Sequence, residues 1–570
     1  MSDDEIGRQP EHRLGRQPEA GDAPDRLEPP KDFLPGLAEN WKNDAISGFV
    51  IFLIALPLCL GIALASGVPP IAGIISGIIA GMVVSLISGS HVTINGPAAG
   101  MIVIVLGAVQ ELGDGDAMAG YQLALAVGVV AGVIQIGLAF LRAGKLTGFF
   151  ASSVIHGMLA GIGLIIMSGQ IHIVFGNENP GEHGFHILTA IPPSILNPNP
   201  YVALIGITAV LIMVFWPKLG RIASVVPAPL LAVIVGTLMA LGLGVGREGS
   251  YTFLGRTYET GPNLLVPLPE GGLLGGLALP DFSQIYTATS IKWIFLFVFV
   301  ASLESLLTAE AVDKIDPYKR QSNMNRELFG KGVGNALSSG IGGLPMIAEV
   351  VRSKANILQG AKTRWSNFFH GFFLLAFVLA VPGLLNQIPL AALAGVLLVI
   401  GFRLAHPSEF RHAWHVGPTE FLFMIVTAIT VLLTDLLIGV AAGLVVAFII
   451  AFVVGRTKPS NVFKPKVEVE SANGTVPVHF SGSLGFHNFL GIRSKLESLP
   501  KGKNVVMDFS GVHFIDHTVM DRLSDFERVY TDDGGEVEWR NMDHLEASGH
   551  DDLSPRRGQP VAADGPKTPA

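Results

Sequence analysis

A succession of apolar runs constrains this chain more than any other feature. A helix that crosses a bilayer needs about 20 consecutive apolar residues. Only 15% of the 570 residues are charged, against about 25% in an average soluble protein. These features predict an all-α polytopic membrane protein with about 14 transmembrane segments. The runs are 44–66, 69–89, 97–110, 119–141, 148–170, 201–216 and 225–245, then 290–311, 328–343, 346–358, 366–386, 389–404, 419–434 and 436–455.

Two of these runs are short and interrupted, and they occupy corresponding places in the two halves of the chain. One follows Gly96-Pro97, and the other follows Gly342-Gly343-Leu344-Pro345. Because each half holds seven segments, an odd number, the second half enters the membrane from the opposite face. Such a 7+7 inverted repeat, with paired broken segments near mid-membrane, is typical of secondary transporters and indicates their binding site.

The charges of the loops predict the orientation of the chain. Lys and Arg favour cytoplasmic loops, and they follow the even-numbered segments. The prediction is a multi-pass protein of the plasma membrane, the inner membrane in a bacterium, with both termini cytoplasmic. The basic residues are Arg142, Lys145, Lys218, Arg221, Lys314, Lys319, Arg320, Lys362, Arg364, Arg403 and Arg411.

The remaining regions differ from the membrane part in composition and in hydrophobic periodicity. Residues 1–36 are polar and predict a disordered cytoplasmic arm, ahead of a transporter domain at 37–456 with repeats at about 44–245 and 290–455. Strands alternate with helices over 457–545, which predicts a small cytoplasmic α/β domain. Residues 546–570 are polar and proline-rich, and we expect them to be disordered.

Several function classes find no support. The single cysteine, Cys59, allows neither a disulfide nor a Cys/His metal site. A net charge of −8 gives no indication of nucleic acid. No phosphate-binding loop ending in Lys-Ser or Lys-Thr is present. We therefore expect no enzyme activity, cofactor or metal, and transport driven by gradients.

Two helix starts that face each other at mid-membrane depth would suit an anion, because they bind it without carrying a full charge. Helix N-termini provide free N–H groups and the positive end of the helix dipole. Proline suits the first position of a helix, so Pro97 and Pro345 predict two such helix starts. Glycines at 342 and 343 would let backbone approach the ligand.

Glu304 and Glu349 are the candidate coupling residues, because a carboxylate inside a transmembrane segment costs about 2.5 kcal/mol or more and is functional by default. Beside an anion, one glutamate either binds a proton or holds a cation such as sodium. Burial and a like-charged neighbour favour the proton. Arg352, three residues after Glu349, either contacts the anion or only neutralises that carboxylate.

Four motifs resemble the SulP (sulfate permease) family of anion transporters. They are Thr93-Ile94-Asn95-Gly96-Pro97-Ala98, Leu303-Glu304-Ser305-Leu306-Leu307-Thr308, Asn325-Arg326-Glu327 through Gly334-Asn335, and Gly342-Gly343-Leu344-Pro345. The α/β region resembles a STAS domain on Val506 to Asp516. The resemblance implies core and gate domains, a homodimer, contact with membrane lipid, a regulatory partner at the STAS domain, and small inorganic anions or dicarboxylates as substrates.

The resemblance also implies a site between the two half-helix starts and the eighth segment. The substrate-binding residues carried over are Ala98, Ala99, Thr308, Ala348, Glu349, Val350 and Arg352, and the coupling residues are Glu304 and Glu349. Sodium-coupled bicarbonate members tend to carry Asp at Glu304 and small or hydroxyl residues at Glu349 and Val350, which disfavours sodium here. The serine that phosphorylated relatives carry after the STAS aspartate is His517.

The sequence therefore predicts secondary active, proton-coupled transport of bicarbonate or sulfate, with dicarboxylates third, by elevator-like alternating access. Three alternatives stay open. They are sodium-coupled bicarbonate symport, a nucleobase or ascorbate permease, and a sensor that signals through the α/β domain without transport.

Overall fold

The computed structural model describes residues 28–144, 151–180, 185–220, 222–223, 226–269, 271–454, 466–470 and 475–558. Most of the predicted arm, at 1–27, the second half of the predicted tail, at 559–570, and the junction at 455–465 lie outside these ranges.

Fourteen membrane helices, seven in each half, are present in the described residues, which confirms the predicted fold class. Eight helical spans are at least 18 residues long and apolar enough to cross a membrane. Helix α3, like α12, has 15 residues, and α10 is much the shortest with 9. At 1.5 Å per residue α3 and α10 span only about 22 Å and 13 Å, so each covers part of a bilayer. The helices are α1 Phe33–Ala65, α2 Pro70–Ile87, α3 Ala99–Gly113, α4 Ala117–Phe140, α5 Ser152–Val174, α6 Pro200–Phe215, α7 Ala228–Leu243, α8 Ala288–Ile315, α9 Met324–Gly340, α10 Val350–Leu358, α11 Trp365–Ala380, α12 Leu390–Leu404, α13 Pro418–Leu433 and α14 Leu436–Val453.

The membrane helices pack in two groups. Helices α1–α4 and α8–α11 form the core domain, and α5–α7 and α12–α14 form the gate domain. Glycines allow the closest approaches within each group. A Cβ on Gly132 of α4 would meet the backbone of α9, and one on Gly163 of α5 would meet the backbone of α12. The abundance of glycine in the sequence therefore reflects close helix packing.

A short hairpin interrupts the long connection between the two halves. Strands β2 Gly249–Phe253 and β3 Arg256–Thr260 pair antiparallel, and Tyr251 stacks on Tyr201 at the start of α6 with ring centroids 3.7 Å apart. The sequence of this connection is weakly patterned and did not predict the hairpin.

A six-stranded mixed sheet and two main helices form the C-terminal domain. Strand β7 is central and pairs in parallel with β6 and β8. The strands are β5 Lys466–Val469, β6 Thr475–Leu484, β7 Asn504–Ile515, β8 Glu536–Arg540, β9 Leu545–Ala547 and β10 Arg556–Gly558, and the helices are α15 Phe489–Leu496 and α16 His517–Asp532.

Two of the predicted boundaries need correction. Helix α1 begins at Phe33, so the last four residues of the predicted arm 1–36 are helical. The predicted disordered tail 546–570 is ordered as far as residue 558, because β10 pairs with both β7 and β9. The backbone N–H of His550 also donates to the carbonyl of His415, at 2.8 Å. Composition could not indicate order that depends on strand pairing and docking.

The C-terminal domain lies against one end of the membrane helices. The backbone N–H of Ser152, where α5 begins, donates to Thr518 Oγ1 at 3.1 Å. Near the end of α14, Phe448 packs against Phe486. We call this end of the helices the domain face and the opposite end the far face.

Candidate functional site

The two interrupted segments meet at a short antiparallel crossing. Strand β1 Asn95–Gly96 pairs with β4 Ile347–Ala348, with Asn95 opposite Ala348. Helix α3 begins shortly after β1, and α10 begins shortly after β4. The crossing therefore places the N-termini of two half-helices next to each other, one from each repeat.

Neither proline occupies the first position of its helix, which corrects the sequence prediction. Helix α3 starts at Ala99, two residues after Pro97, and α10 starts at Val350, five residues after Pro345. Between Pro345 and α10 the chain forms the crossing strand Ile347–Ala348, and between Pro97 and α3 only Ala98 intervenes, with extended backbone. Gly342, at φ 93°, turns the chain after α9, so that glycine serves the turn.

No side chain caps either of these helix starts. The Ncap residues are Ala98 and Glu349, and neither side chain accepts a bond from its helix. Asp116, Asn199 and Asn323 cap α4, α6 and α9 through their side chains, while α2, α5, α7, α11, α12 and α13 also start without such a cap. A helix start without a capping side chain has N–H groups available for another acceptor. The two starts at the crossing can therefore bind an anion together.

Arg352 brings a full positive charge to the crossing. Its side chain is only 1% exposed, although it lies on the short helix α10. Its Nη2 donates to the carbonyl of Pro97 at 2.7 Å and lies 3.7 Å from Glu349 Oε1. Nε and Nη1 have no hydrogen-bond partner among the described residues. Arg352 thus links the two repeats, neutralises Glu349 only loosely, and keeps donors for a further acceptor.

Glu304 lies at the start of the other half-helix. It is buried on α8, and its Oε1 has no hydrogen-bond partner among the described residues. A Cβ on Gly100 would overlap the Glu304 carboxylate, so the carboxylate contacts the first turn of α3. Glu304 and Glu349 are close enough to repel each other when both are ionised. The predicted coupling residues therefore share one site with Arg352.

The other predicted residues differ in how directly they face this site. Ala98 and Ala348 are buried in the crossing, and Thr308 is buried one turn after Glu304 on α8. Ala99 is partly buried. Val350 is 43% exposed at the first position of α10, so it lies at the edge of the crossing.

Several polar side chains that hold the crossing together were not singled out from the sequence. Ser353 Oγ accepts from the backbone N–H of Ile94 at 2.9 Å, and Ser305 Oγ accepts from that of Ala348 at 3.3 Å. Each joins elements from different parts of the chain. Sequence spacing alone could not show that these serines meet the crossing strands.

The most buried ion pair of the core domain supports the first strand. Lys331 and Glu327 on α9 are both 0% exposed and 2.5 Å apart, and Lys331 Nζ also donates to Asn95 Oδ1. Glu327 accepts from the backbone N–H of Gly89 at 3.1 Å. A lysine inside an apolar segment is itself a functional signal, so Lys331 was detectable in the sequence.

The two half-helices differ in exposure. Val103, in the second turn of α3, is buried, whereas Val351 and Leu358 on α10 are 68% and 74% exposed. Helix α3 leads toward the far face, and α10 leads toward the domain face, where the carbonyl of Lys362 accepts from Arg320, six residues after Lys314, which pairs with Asp525 of the C-terminal domain. Helix α3 is therefore enclosed by the protein, whereas one face of α10 is exposed.

Contacts between core and gate show the same asymmetry. Helix α3 packs against α5, and α1 packs against α12, where a Cβ on Gly61 would lie 3.3 Å from Leu397. Under the inverted repeat the equivalent pairs are α10 with α12 and α8 with α5. In the described ranges those pairs have at most marginal contact. The core and gate are thus joined toward the far face and separated toward the domain face.

Comparison with known proteins places both parts of the chain. Residues 41–427 match the Sulfate permease family, and residues 466–543 match the STAS domain. The putative sulfate transporter YvdB of Bacillus subtilis is 28% identical over 403 residues, which are 69% of this chain and 70% of that protein. The bicarbonate transporter BicA of Picosynechococcus sp. is 28% identical over 397 residues, 69% of this chain and 67% of that protein.

Solved structures agree with the fold. The transmembrane domain of a cyanobacterium bicarbonate transporter BicA aligns with a TM-score of 0.59 and 26% identity, over 71% of this chain and 97% of that one. The murine anion transporter Slc26a9 in the inward-facing state aligns with a TM-score of 0.63 over 87% of this chain and 85% of that one, and at 15% identity it shows the fold alone. This chain is a multi-pass membrane protein that belongs to the sulfate permease family and carries a C-terminal STAS domain.

Proposed function

We propose that this protein is a secondary active transporter of a small anion, coupled to protons, in the plasma membrane. The observation that carries the proposal is the crossing itself. It brings together two helix N-termini without capping side chains and a buried guanidinium whose Nε and Nη1 lack acceptors in the described structure. Together, the N–H groups of the helix starts and the Arg352 guanidinium can bind an oxyanion, and Arg352 is the only full positive charge that this binding requires at mid-membrane depth.

Charge balance assigns the proton to Glu304. With both glutamates ionised, the side chains Glu304, Glu349 and Arg352 sum to −1, and a substrate anion would add to that. The Glu304 carboxylate also contacts the first turn of α3, where an anion would be stabilised. A proton on Glu304 removes the excess negative charge of the site and the repulsion at the start of α3. The anion and the proton therefore bind together.

The net charge of the site also ranks the candidate anions. With Glu304 neutral and Glu349 offset by Arg352, the two helix ends contribute about +0.5 charge each, which matches one negative charge. Bicarbonate therefore comes first and sulfate second, the two anions named for the relatives, and dicarboxylates come third. A divalent anion would require a second proton, on Glu349.

Transport follows from movement of the core domain relative to the gate. Every residue of the crossing belongs to the core, so an elevator-like displacement carries the site as a unit. The arrangement described above is open toward the domain face, which the loop charges assign to the cytoplasm. The family resemblance adds the expectation of a homodimer.

The test is uptake of labelled bicarbonate, sulfate, fumarate and succinate into proteoliposomes under imposed pH or sodium gradients. Wild type should accumulate the anion when the pH gradient drives protons inward. Glu304→Gln should keep anion exchange but lose accumulation driven by pH. Glu111→Gln, an exposed glutamate that pairs with Lys292, is the matched control and should accumulate normally.

Other outcomes would overturn the proposal. Uptake that follows sodium and ignores pH would replace the proton with sodium. Inhibition by uracil or xanthine would favour a nucleobase permease. Complete absence of flux for every anion would favour the sensor. Wild-type accumulation by Glu304→Gln would remove Glu304 from the coupling.

A further inference from the structure

We propose that the C-terminal domain acts as a clasp that fastens the core to the gate and holds the protein open toward the domain face. The clasp consists of Arg493, Arg522 and Asp525 in the C-terminal domain with Glu310 and Lys314 at the end of α8. The inference rests on the proposed movement of the core relative to the gate.

The core side of the clasp is a set of ion pairs. Glu310 pairs with Arg522 and lies 3.8 Å from Arg493 Nη1. One turn further along α8, Lys314 Nζ lies 2.7 Å from Asp525 Oδ2. Two glutamates thus share this helix. Glu304 lies in the transport site, and Glu310, six residues later, is held by the C-terminal domain.

The pair between Glu310 and Arg522 is largely shielded from water, whereas the Lys314–Asp525 pair is more exposed. The side chains of Glu310 and Arg522 are 16% and 14% exposed. Exposed ion pairs contribute little to stability. Removing one partner of a partly desolvated pair leaves the other charge uncompensated, which costs more. Loss of one partner can therefore shift an equilibrium between two conformations of similar free energy.

The gate side of the clasp uses different chemistry. Thr518 accepts from the backbone of Ser152 on α5, and the Phe486 ring packs against Phe448 of α14 with centroids 5.1 Å apart. The backbone of Gly549 lies against the end of a short helix, Pro407–Val416, between α12 and α13. The C-terminal domain is thus attached to the gate by backbone and aromatic contacts.

A single helix joins the two sides. Within the first nine residues of α16, Thr518 contacts the gate, while Arg522 and Asp525 contact the core. Because a helix is rigid over this length, α8 cannot move relative to α5 while both sets of contacts persist. Transport must therefore break the ion pairs in each cycle, and their strength sets the fraction of protein that faces inward.

The first test cross-links the clasp in the full-length protein. Lys314→Cys with Asp525→Cys, joined by a short cleavable bifunctional thiol reagent, should lose at least about tenfold in anion uptake and recover after cleavage. The control is Lys501→Cys with Asp533→Cys, an exposed ion pair of similar length within the C-terminal domain, which should cross-link without loss. Undiminished uptake by the protein linked between positions 314 and 525 would overturn the clasp, as would linkage that forms only between two chains.

The second test measures the conformation without requiring transport. Cys59 is the only cysteine and is buried, so a cysteine introduced at Val351 reports access from the domain face to a membrane-impermeant maleimide. Glu310→Gln should slow this labelling at least about threefold. Glu310→Arg combined with Arg522→Glu should restore it, and Glu538→Gln, whose carboxylate pairs with Arg540, should leave it unchanged.

An unchanged labelling rate in Glu310→Gln would contradict the clasp. Because labelling needs no substrate, this result is separate from any failure of the proposed transport function. A slower rate that the charge reversal does not restore would also contradict it, since the ion pair would then not be the cause.

Discussion

Helices α3 and α10 occupy equivalent places in the two repeats, yet their surroundings differ. Both start without a capping side chain at the crossing. Most of α3 is buried, whereas α10 buries only Arg352, Ser353 and Asn356. Both helix starts contribute N–H groups to anion binding, so they are alike. Access to the site from one face requires one helix to be exposed and the other to be buried. The difference in burial between α3 and α10 therefore indicates the conformational state of the transporter, and the similarity of their starts indicates the binding site.

Helix α10 also reverses the usual relation between polarity and burial. Its polar residues Arg352, Ser353 and Asn356 face the inside of the core, whereas the apolar residues Val351 and Leu358 are exposed together with Lys354. An amphipathic helix normally turns its apolar face toward the core. Here the polar face is needed by the crossing, and the apolar face borders the opening toward the domain face.

The largest expected effect on transport distinguishes the buried face of α10 from its exposed face. Arg352→Gln removes the buried positive charge and the bond to Pro97, so transport should fall by at least about 30-fold, or about 2 kcal/mol. Lys354→Gln, on the exposed side of the same helix, should change uptake less than about twofold. Uptake by proteoliposomes is the measurement.

Wild-type uptake by a correctly folded Arg352→Gln protein would contradict the role given to this side chain. Gel filtration and thermal stability of both variants distinguish loss of binding from loss of folding.

An intermediate effect compares the second residues of the two half-helices. Gly100→Ala places a methyl group against the Glu304 carboxylate, and overpacking of this kind costs about 1–3 kcal/mol. Uptake should fall roughly tenfold. Val351→Ala, at the same helical position in α10, should have little effect because Val351 is exposed.

Gly137→Ala is the control on α4, since a Cβ there meets nothing within 4 Å. An equal loss of uptake in Gly100→Ala and Val351→Ala would show that contact with Glu304 is not the cause of the loss. No loss in either variant would place the anion elsewhere.

The smallest effect concerns the domain face, toward which α10 opens. Burial raises the pKa of Asp516 to about 7, and the nearby Glu420 adds to the rise, although the backbone N–H groups of Val519 and Phe486 oppose it. Between about pH 4 and pH 7 the folded domain thus holds a proton that the unfolded chain has lost. Its stability should fall as the pH rises through this window, by at least about 1 kcal/mol.

Asp516→Asn keeps a capping side chain but cannot ionise, so this pH dependence should disappear. Hydrogen exchange of the Phe486 and Val519 amides, compared between wild type and variant at pH 5 and pH 8, measures it. An identical pH dependence in the two proteins would show that another group is responsible.

Hydropathy and loop charge predicted the fourteen helices and the pairing of the broken segments, because a bilayer imposes length and charge rules on sequence directly. Glu304, Glu349 and Arg352 were also predicted, since charges are rare inside membranes. The helix starts were placed too early because proline indicates a break in the helix, whereas an extended stretch precedes each start, Ala98 before α3 and the strand Ile347–Ala348 before α10. Lys331 was missed because its segment is rich in glycine and faint on hydropathy.

The asymmetry between α3 and α10 could not be predicted. It arises from contacts between core and gate, such as Gly61 of α1 with Leu397 of α12, and these contacts describe one conformation of the protein. A sequence with two related halves encodes both conformations.

The most direct test of the site is protection of a thiol by substrate. A cysteine at Val350, at the edge of the crossing, should react with an impermeant thiosulfonate from the domain face, and a saturating concentration of the transported anion should slow that reaction at least about tenfold. A cysteine at Leu358, at the far end of α10, should react equally with and without the anion. Equal reaction at position 350 in the presence of an anion that the same protein transports would contradict a site between the two half-helix starts.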